Sequence, residues 1–82
     1  MNKAELQSAH SHSSHNREKI EISSQCGCFG CCRIFLSSEV EDYIDDGETA
    51  LCPYCGVDSV IGDASGFQLS EGFLQSMHKR WM

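Results

Sequence analysis

Four cysteines of this sequence form two Cys-x-x-Cys pairs, Cys28 with Cys31 and Cys52 with Cys55, and twenty residues separate the pairs. Two intervening residues allow a tight turn to direct both sulfurs at one ion, and two such turns complete a tetrahedral site of four thiolates. This spacing is typical of a zinc ribbon. The sequence therefore predicts one Zn²⁺ per chain, bound by Cys28, Cys31, Cys52 and Cys55.

Cys26 and Cys32 leave a second ligand set open. Four residues separate Cys26 from Cys31, a spacing within the range of zinc ligands, so Cys26 is a substitute ligand for Cys28. We favour Cys28 because its pair repeats the spacing of the second pair. Cys32 is then expected to be a small core residue and Cys26 a spare thiol beside the site, and sensitivity of either thiol to oxidation is the competing interpretation.

The predicted site is structural, not catalytic. Tetrahedral sulfur also binds iron, and the segment CPYCG at residues 52–56 is similar to half of a rubredoxin site. Iron is less favoured than zinc because Cys32, not a glycine, follows the first pair. Four protein thiolates leave no coordination position for water, and Pro53 follows Cys52 where a zinc deaminase requires the reverse order. We therefore expect that the protein is not an enzyme.

The histidines and the terminal tryptophan offer weaker signals. His10, His12 and His15 form a cluster that can bind metal weakly, but on a Ser-rich segment we expect solvated side chains. We expect His78 to lie near a helix end, where its charge favours the helix dipole. Trp81 either clamps the last helix or anchors another chain.

The charge of the chain is negative and unevenly distributed. The net charge is -6 over 82 residues, and residues 37–63 contain eight acidic and no basic side chains. Such a field repels phosphate, so we expect a protein partner that binds residues 37–63 or the C-terminal helix. One alternative is an immunity or inhibitor protein that covers a basic toxin or another nucleic-acid-binding partner. The other is a nucleic-acid-binding zinc ribbon.

The composition and the expected cellular compartment are both consistent with a metal site. The hydrophobic content of 40% and charged content of 22% are those of a globular domain. Residues 1–16 lack the apolar run of a secretory signal, and no stretch reaches the roughly 20 apolar residues of a membrane span. We therefore expect a cytoplasmic protein, because clustered cysteines in a reducing compartment bind metal more often than they cross-link.

The elements that position the cysteines follow from turn and cap signals. Residues 1–14 are predicted to be a polar, partly flexible segment, and residues 15–82 a single zinc-binding domain. A dense turn is expected at residues 25–33, and a central helix over residues 38–47, with a capping box from Ser38 to Glu41 and a stop at Gly47. Short strands are predicted at residues 33–36, 48–51 and 57–62.

The last element is the most clearly amphipathic. Ser70 is a candidate N-cap, and the apolar side chains that follow recur at helical spacing. They are Phe73, Leu74, Met77 and Trp81. The predicted fold is a small α+β, zinc-ribbon-like domain with two zinc knuckles, short antiparallel strands, and N-terminal, central and C-terminal helices.

Several segments resemble a family of small bacterial proteins that are described only as cytoplasmic and of unknown function. They are His15-Asn16-Arg17, CGCF at residues 26–29, CPYCGVDSVIGDASG at residues 52–66 and a Phe-Leu-x-x-Met-His helix near the end. The resemblance covers about residues 10–82. The chain differs from the family at Gly30 and Cys32, where bulkier residues are usual. The resemblance implies a cytoplasmic zinc protein and supplies no activity.

Overall fold

A computed structural model describes residues 3–82. The helices are α1 Lys3–Ser11, α2 Arg17–Ile22 and α3 Glu71–Trp81. The strands are β1 Gln25–Cys28, β2 Ile34–Leu36, β3 Tyr43–Ile44, β4 Thr49–Ala50 and β5 Val60–Gly62. Single turns of 3₁₀ helix follow β2 and β5, at Ser37–Glu39 and Asp63–Ser65. The architecture is a small α+β fold with short antiparallel strands.

The main sheet has three strands in the order β2-β1-β5, all antiparallel. Cys26 lies opposite Phe35 on one side and Gly62 on the other, and these residues share one face of the sheet. Gly27 points to the opposite face, where a Cβ atom would lie 3.0 Å from the Leu74 side chain. Glycine at this position lets α3 pack directly on the middle strand.

The core consists of two clusters, one on each face of this sheet. The first contains Ile20, Cys26, Cys28, Phe35, Ala50, Cys52 and Val60. The second contains Ala9, Phe29, Ile61, Phe73, Leu74 and Met77. Because Cys28 and Phe29 are consecutive, the chain passes from one cluster to the other at the first cysteine pair.

The C-terminal helix agrees with the sequence prediction. The backbone N–H of Phe73 donates to the Ser70 Oγ at 3.1 Å, so Ser70 is the N-cap of α3. Phe73, Leu74 and Met77 are buried on its inner face. Trp81 lies at the edge of the second cluster, with its ring centroid 4.0 Å from that of His10.

The N-terminal segment contains α1 up to Ser11. Ala9 is fully buried against the second cluster, and Leu6 packs at its margin. Met1 and Asn2, which belong to the segment predicted to be partly flexible, lie outside the described residues. The flexibility of residues 1–14 stays a prediction.

The predicted central helix is wrong. Residues 43–50 form the β3–β4 hairpin, in which Ile44 pairs with Thr49 across a four-residue loop. Asp45, Asp46 and Gly47 all have positive φ angles, a conformation that aspartate and glycine tolerate better than most residues and that ends any helix. The Thr49 hydroxyl donates to the Asp45 carboxylate at 2.9 Å and fixes the loop.

The predicted capping box is also displaced. The 3₁₀ turn ends at Glu39, and it is the Glu39 carboxylate, not that of Glu41, that accepts a backbone N–H, from Leu36 at 2.8 Å. A single 3₁₀ turn therefore stands where the sequence predicts the start of the central helix, and β3 begins four residues after it.

The dense turn predicted for residues 25–33 is only partly correct. Residues 25–28 form β1, the middle strand of the sheet, and only residues 29–31 form the turn. Gly27 weakens the strand signal in the sequence, and contacts with both neighbouring strands outweigh that low propensity. Among residues 3–82, no helix has the length and apolarity needed to cross a membrane.

Candidate metal centre

The structure brings the sulfurs of Cys28, Cys31, Cys52 and Cys55 within 4.8 Å of one another. Cys28 Sγ lies 3.6 Å from Cys55 Sγ, and Cys31 Sγ lies 3.8 Å from Cys52 Sγ. In a tetrahedral site with Zn–S bonds of about 2.3 Å, the sulfurs are about 3.8 Å apart. The four side chains therefore fit a tetrahedral metal ion with little rearrangement.

Two short loops carry these cysteines, and the same backbone hydrogen bond closes each loop. We call residues 28–33 the first cysteine loop and residues 52–57 the second. The Cys28 N–H donates to the Arg33 carbonyl at 2.9 Å, and the Cys52 N–H donates to the Val57 carbonyl at 3.0 Å. Gly56, with φ +76°, supplies the left-handed residue that the second loop needs.

Backbone N–H groups surround the first sulfur of each loop. Gly30 donates to Cys28 Sγ at 3.3 Å, and Tyr54 donates to Cys52 Sγ at 3.4 Å. Cys55 donates to the same Cys52 sulfur at 3.5 Å. Donors aimed at sulfur favour the thiolate, which is the form that binds metal.

The thiols of the cluster differ in their tendency to ionise. Burial raises the pKa of Cys28, Cys31 and Cys55, and backbone donors offset it only in part. At Cys52 burial acts in the same direction, but the N–H groups of Cys55 and Tyr54 outweigh it and lower the pKa. A bound cation would favour the thiolate form at all four positions.

Ser59 completes the surroundings of Cys28 and was not singled out from the sequence. Its hydroxyl lies 3.0 Å from Cys28 Sγ and is buried. A Cβ atom on Gly30 would lie 2.8 Å from this hydroxyl and 3.4 Å from Cys28 Sγ. This loop therefore leaves little room for a side chain at position 30.

Cys26 and Cys32 do not belong to the group of four clustered sulfurs. Cys26 is fully buried in the first core cluster, and burial together with the charge of Asp63 raises its pKa to about 12. Cys32 has a φ angle of +60° and packs at the margin of the second cluster. The described chain thus brings Cys28, not Cys26, to the candidate site.

The histidines have other contacts. Among residues 3–82, the only group of three or more side chains able to hold a metal is the cysteine group. His12 packs edge-on against Phe67, and His78 Nδ1 lies 2.9 Å from the carbonyl oxygen of Phe29. The contact between His78 and Phe29 connects α3 to the first cysteine loop, and no sequence pattern predicts it.

An exposed cluster joins the second cysteine loop to the turn after β2. The Arg33 guanidinium lies over the Tyr54 ring, 4.7 Å from its centroid. The Tyr54 hydroxyl donates to the Glu39 carboxylate. This hydroxyl and the Leu36 N–H lower the pKa of Glu39, so the carboxylate is ionised at neutral pH.

No protein-family model matches the chain, and neither a curated protein nor a solved structure is significantly similar to it. The resemblance to the bacterial family gains no support from these comparisons.

Proposed function

We propose that this chain is a non-enzymatic, cytoplasmic zinc protein whose metal site supports a protein–protein interaction module. One Zn²⁺ would be held by Cys28, Cys31, Cys52 and Cys55. The observation that carries the proposal is the approach of four sulfurs from two distant segments to within 4.8 Å.

The chemistry of the donor set favours zinc in a structural role. Four thiolates satisfy a tetrahedral ion completely and leave no position for a water or a substrate. The matching closure of the two cysteine loops supports an interpretation as two zinc knuckles of a zinc-ribbon-like fold. Iron accepts the same ligands and is the metal alternative.

The acidic surface supports a basic protein as the partner. Glu41, Asp42, Asp45, Asp46 and Glu48 are all exposed in and around the β3–β4 hairpin. A protein with this surface is suited to cover a basic groove, which is the activity of an immunity or inhibitor protein. Nucleic acid is less favoured, because the cations lie on different elements and several already contact aromatic rings.

Metal analysis of the purified full chain tests the zinc assignment. We expect about one zinc per chain, consistent with a single four-thiolate site. Iron as the main metal, or a folded protein without metal, would contradict the assignment.

Affinity capture from the native host tests the interaction role. We expect a protein to be retained by the wild type and lost with the E41K/D42K variant, while the matched E18K variant on α2 retains it. Recovery of nucleic acid in place of protein would overturn the proposal.

A further inference from the structure

The outer strand of the main sheet exposes apolar side chains. β2 is an edge strand, and Ile34 and Leu36 are 43% and 54% exposed while Phe35 between them is buried. Both exposed residues lie on the face that α3 covers over Gly27, and the helix leaves them open. Two exposed apolar side chains on one edge strand are unusual, because natural proteins generally protect their sheet edges with charged side chains.

Within residues 3–82, the outward-facing backbone of β2 is free at Ile34 and capped at Leu36, which is the N-cap of the 3₁₀ turn. Cys28 N–H donates to the Arg33 carbonyl, so in the alternating antiparallel ladder Ile34 and Leu36 direct their own N–H and C=O groups away from β1. The Glu39 carboxylate accepts the Leu36 N–H at 2.8 Å. An added strand would therefore pair first with Ile34, and it would have to displace this carboxylate to reach the Leu36 N–H.

The opposite edge of the sheet is closed. β5 is buried along its length, and the Val60 carbonyl accepts a hydrogen bond from the Asn16 amide at 2.7 Å. Of the two edges of this sheet, β2 is therefore the one available to a partner.

Charge decides what kind of chain fits this edge. One cation, Arg33, precedes β2, whereas three carboxylates follow it, those of Glu39 in the 3₁₀ turn and of the exposed Glu41 and Asp42. A second copy of this chain would bring the same carboxylates and another net charge of -6 to the interface, which repels. A basic chain is attracted instead.

We propose that β2 binds an extended segment of a basic partner protein, which adds a strand to the sheet by β-augmentation. Alternate apolar side chains of the segment cover Ile34 and Leu36. A basic side chain between them points to the other face of the sheet and pairs with the Glu39 carboxylate that the added strand displaces from the Leu36 N–H. This inference rests on the proposed interaction function and specifies the chemistry of the partner.

The test uses the zinc-loaded full chain and acetylated, amidated peptides of about eight residues that alternate valine with lysine. Two control peptides share the length: one alternates valine with glutamate, and one carries N-methyl groups along the edge that would pair with β2. Titration is followed by amide NMR spectra and hydrogen exchange. We expect saturable binding of the valine–lysine peptide, with at least about tenfold slower exchange of the Ile34 amide, and no binding of either control.

Matched variants locate the contact. Ile34→Thr and Leu36→Thr place a residue of high strand propensity at each position but remove apolar surface, and each is expected to weaken peptide affinity about tenfold. Ile22→Thr is the control, because Ile22 is 66% exposed on α2, and its affinity is expected to equal that of the wild type. The zinc content and amide spectrum of each variant report whether it folds.

Four results would overturn the inference: no saturable binding, equal binding of the N-methylated peptide, shifts confined to residues 41–46 without protection of Ile34, or protection of Ile34 that rises with protein concentration alone. The last would identify a second copy as the occupant. Each leaves the zinc content and the capture experiment unchanged, so failure at β2 is distinguishable from failure of the proposed function.

Discussion

Cys28 and Cys52 occupy equivalent positions in the two cysteine loops. Each donates its own N–H to a carbonyl five residues later and accepts, through its sulfur, an N–H from two residues later. Both sulfurs are also part of the first core cluster. These two residues therefore connect the candidate metal site to the hydrophobic core, whereas Cys31 and Cys55 lie nearer the surface.

The first prediction separates a ligand from a spare thiol. Cys52→Ser replaces a soft thiolate with a hydroxyl at a buried corner of the site, so we expect loss of bound zinc and of cooperative thermal unfolding. Cys26→Ala, the matched control, removes a buried thiol outside the cluster and should keep about one zinc per chain at a cost of about 1 kcal/mol in unfolding free energy. Loss of zinc from Cys26→Ala would instead assign Cys26 as a ligand.

The second prediction concerns space at Gly30. Gly30→Ala places a methyl group against the Ser59 hydroxyl and Cys28 Sγ, and we expect weaker zinc binding in competition with a chromophoric chelator. Gly72→Ala is the control, since open space surrounds Gly72 within α3, and alanine there should raise stability by about 0.5 to 1 kcal/mol. Unchanged zinc affinity in Gly30→Ala would show that the first loop widens without effect on the site.

Residue types and local spacing were sufficient to predict which cysteines form the cluster, but not which other side chains lie beside it. A Cys-x-x-Cys pair is defined over four residues, so its geometry is encoded locally. Ser59 reaches Cys28 across 31 positions, and His78 reaches Phe29 across 49. Only the fold brings such residues together, and neither has a spacing that signals its contact.

At the scale of elements, the helix α3 was predictable because its cap and apolar face are encoded within about three turns. The hairpin β3–β4 was not. Tyr43 and Ile44 have the spacing of a helical face with Val40, but Tyr43 pairs with Ala50 and three consecutive left-handed residues turn the chain. Strands of two residues carry too short a pattern to compete with that signal.

The third prediction concerns Asn16, whose side chain connects β4 to β5. Asn16 is buried, and its side-chain Nδ2 donates to the backbone carbonyls of His12 and Val60. Its side-chain Oδ1 accepts the Ala50 N–H. Asn16→Ala leaves buried groups of β4 and β5 without partners. We expect a loss of about 2 to 4 kcal/mol in unfolding free energy, measured by urea denaturation of the zinc-loaded protein. Ser14→Ala, at an exposed neighbouring position, should change it by less than about 0.5 kcal/mol.

At the scale of the whole molecule, the candidate metal site lies where the two core clusters meet. Cys28 and Cys52 belong to one cluster and Phe29 to the other, so the two loops join both faces of the sheet. A domain of this size has a small core, and its free energy of unfolding is on the order of 5 to 15 kcal/mol. Binding of structural zinc contributes on the order of 10 kcal/mol, which is comparable with that total.

The fourth prediction is a dependence of zinc affinity on pH. Burial raises the pKa of Cys28, Cys31 and Cys55, so in the absence of metal these thiols are protonated at neutral pH, and each releases a proton when zinc binds. Lower pH therefore weakens binding, by about tenfold per pH unit for each proton released. Chelator competition between about pH 6 and 8 measures the slope, and a flat profile would contradict thiol ligation.

The fifth prediction is that removal of zinc disconnects the two core clusters. Phe29 follows Cys28 directly, and its carbonyl contacts His78 on α3, so release of the first cysteine loop also frees the helix that carries Trp81. With a strong chelator we expect Trp81 fluorescence to shift toward that of a solvated indole, the near-ultraviolet circular dichroism to collapse, and thermal unfolding to lose cooperativity. Added zinc should restore all three signals, whereas magnesium, a hard ion that prefers oxygen ligands, should restore none. A chelated protein that still melts cooperatively, with Trp81 in its native environment, would show that the apolar clusters hold this fold without the metal.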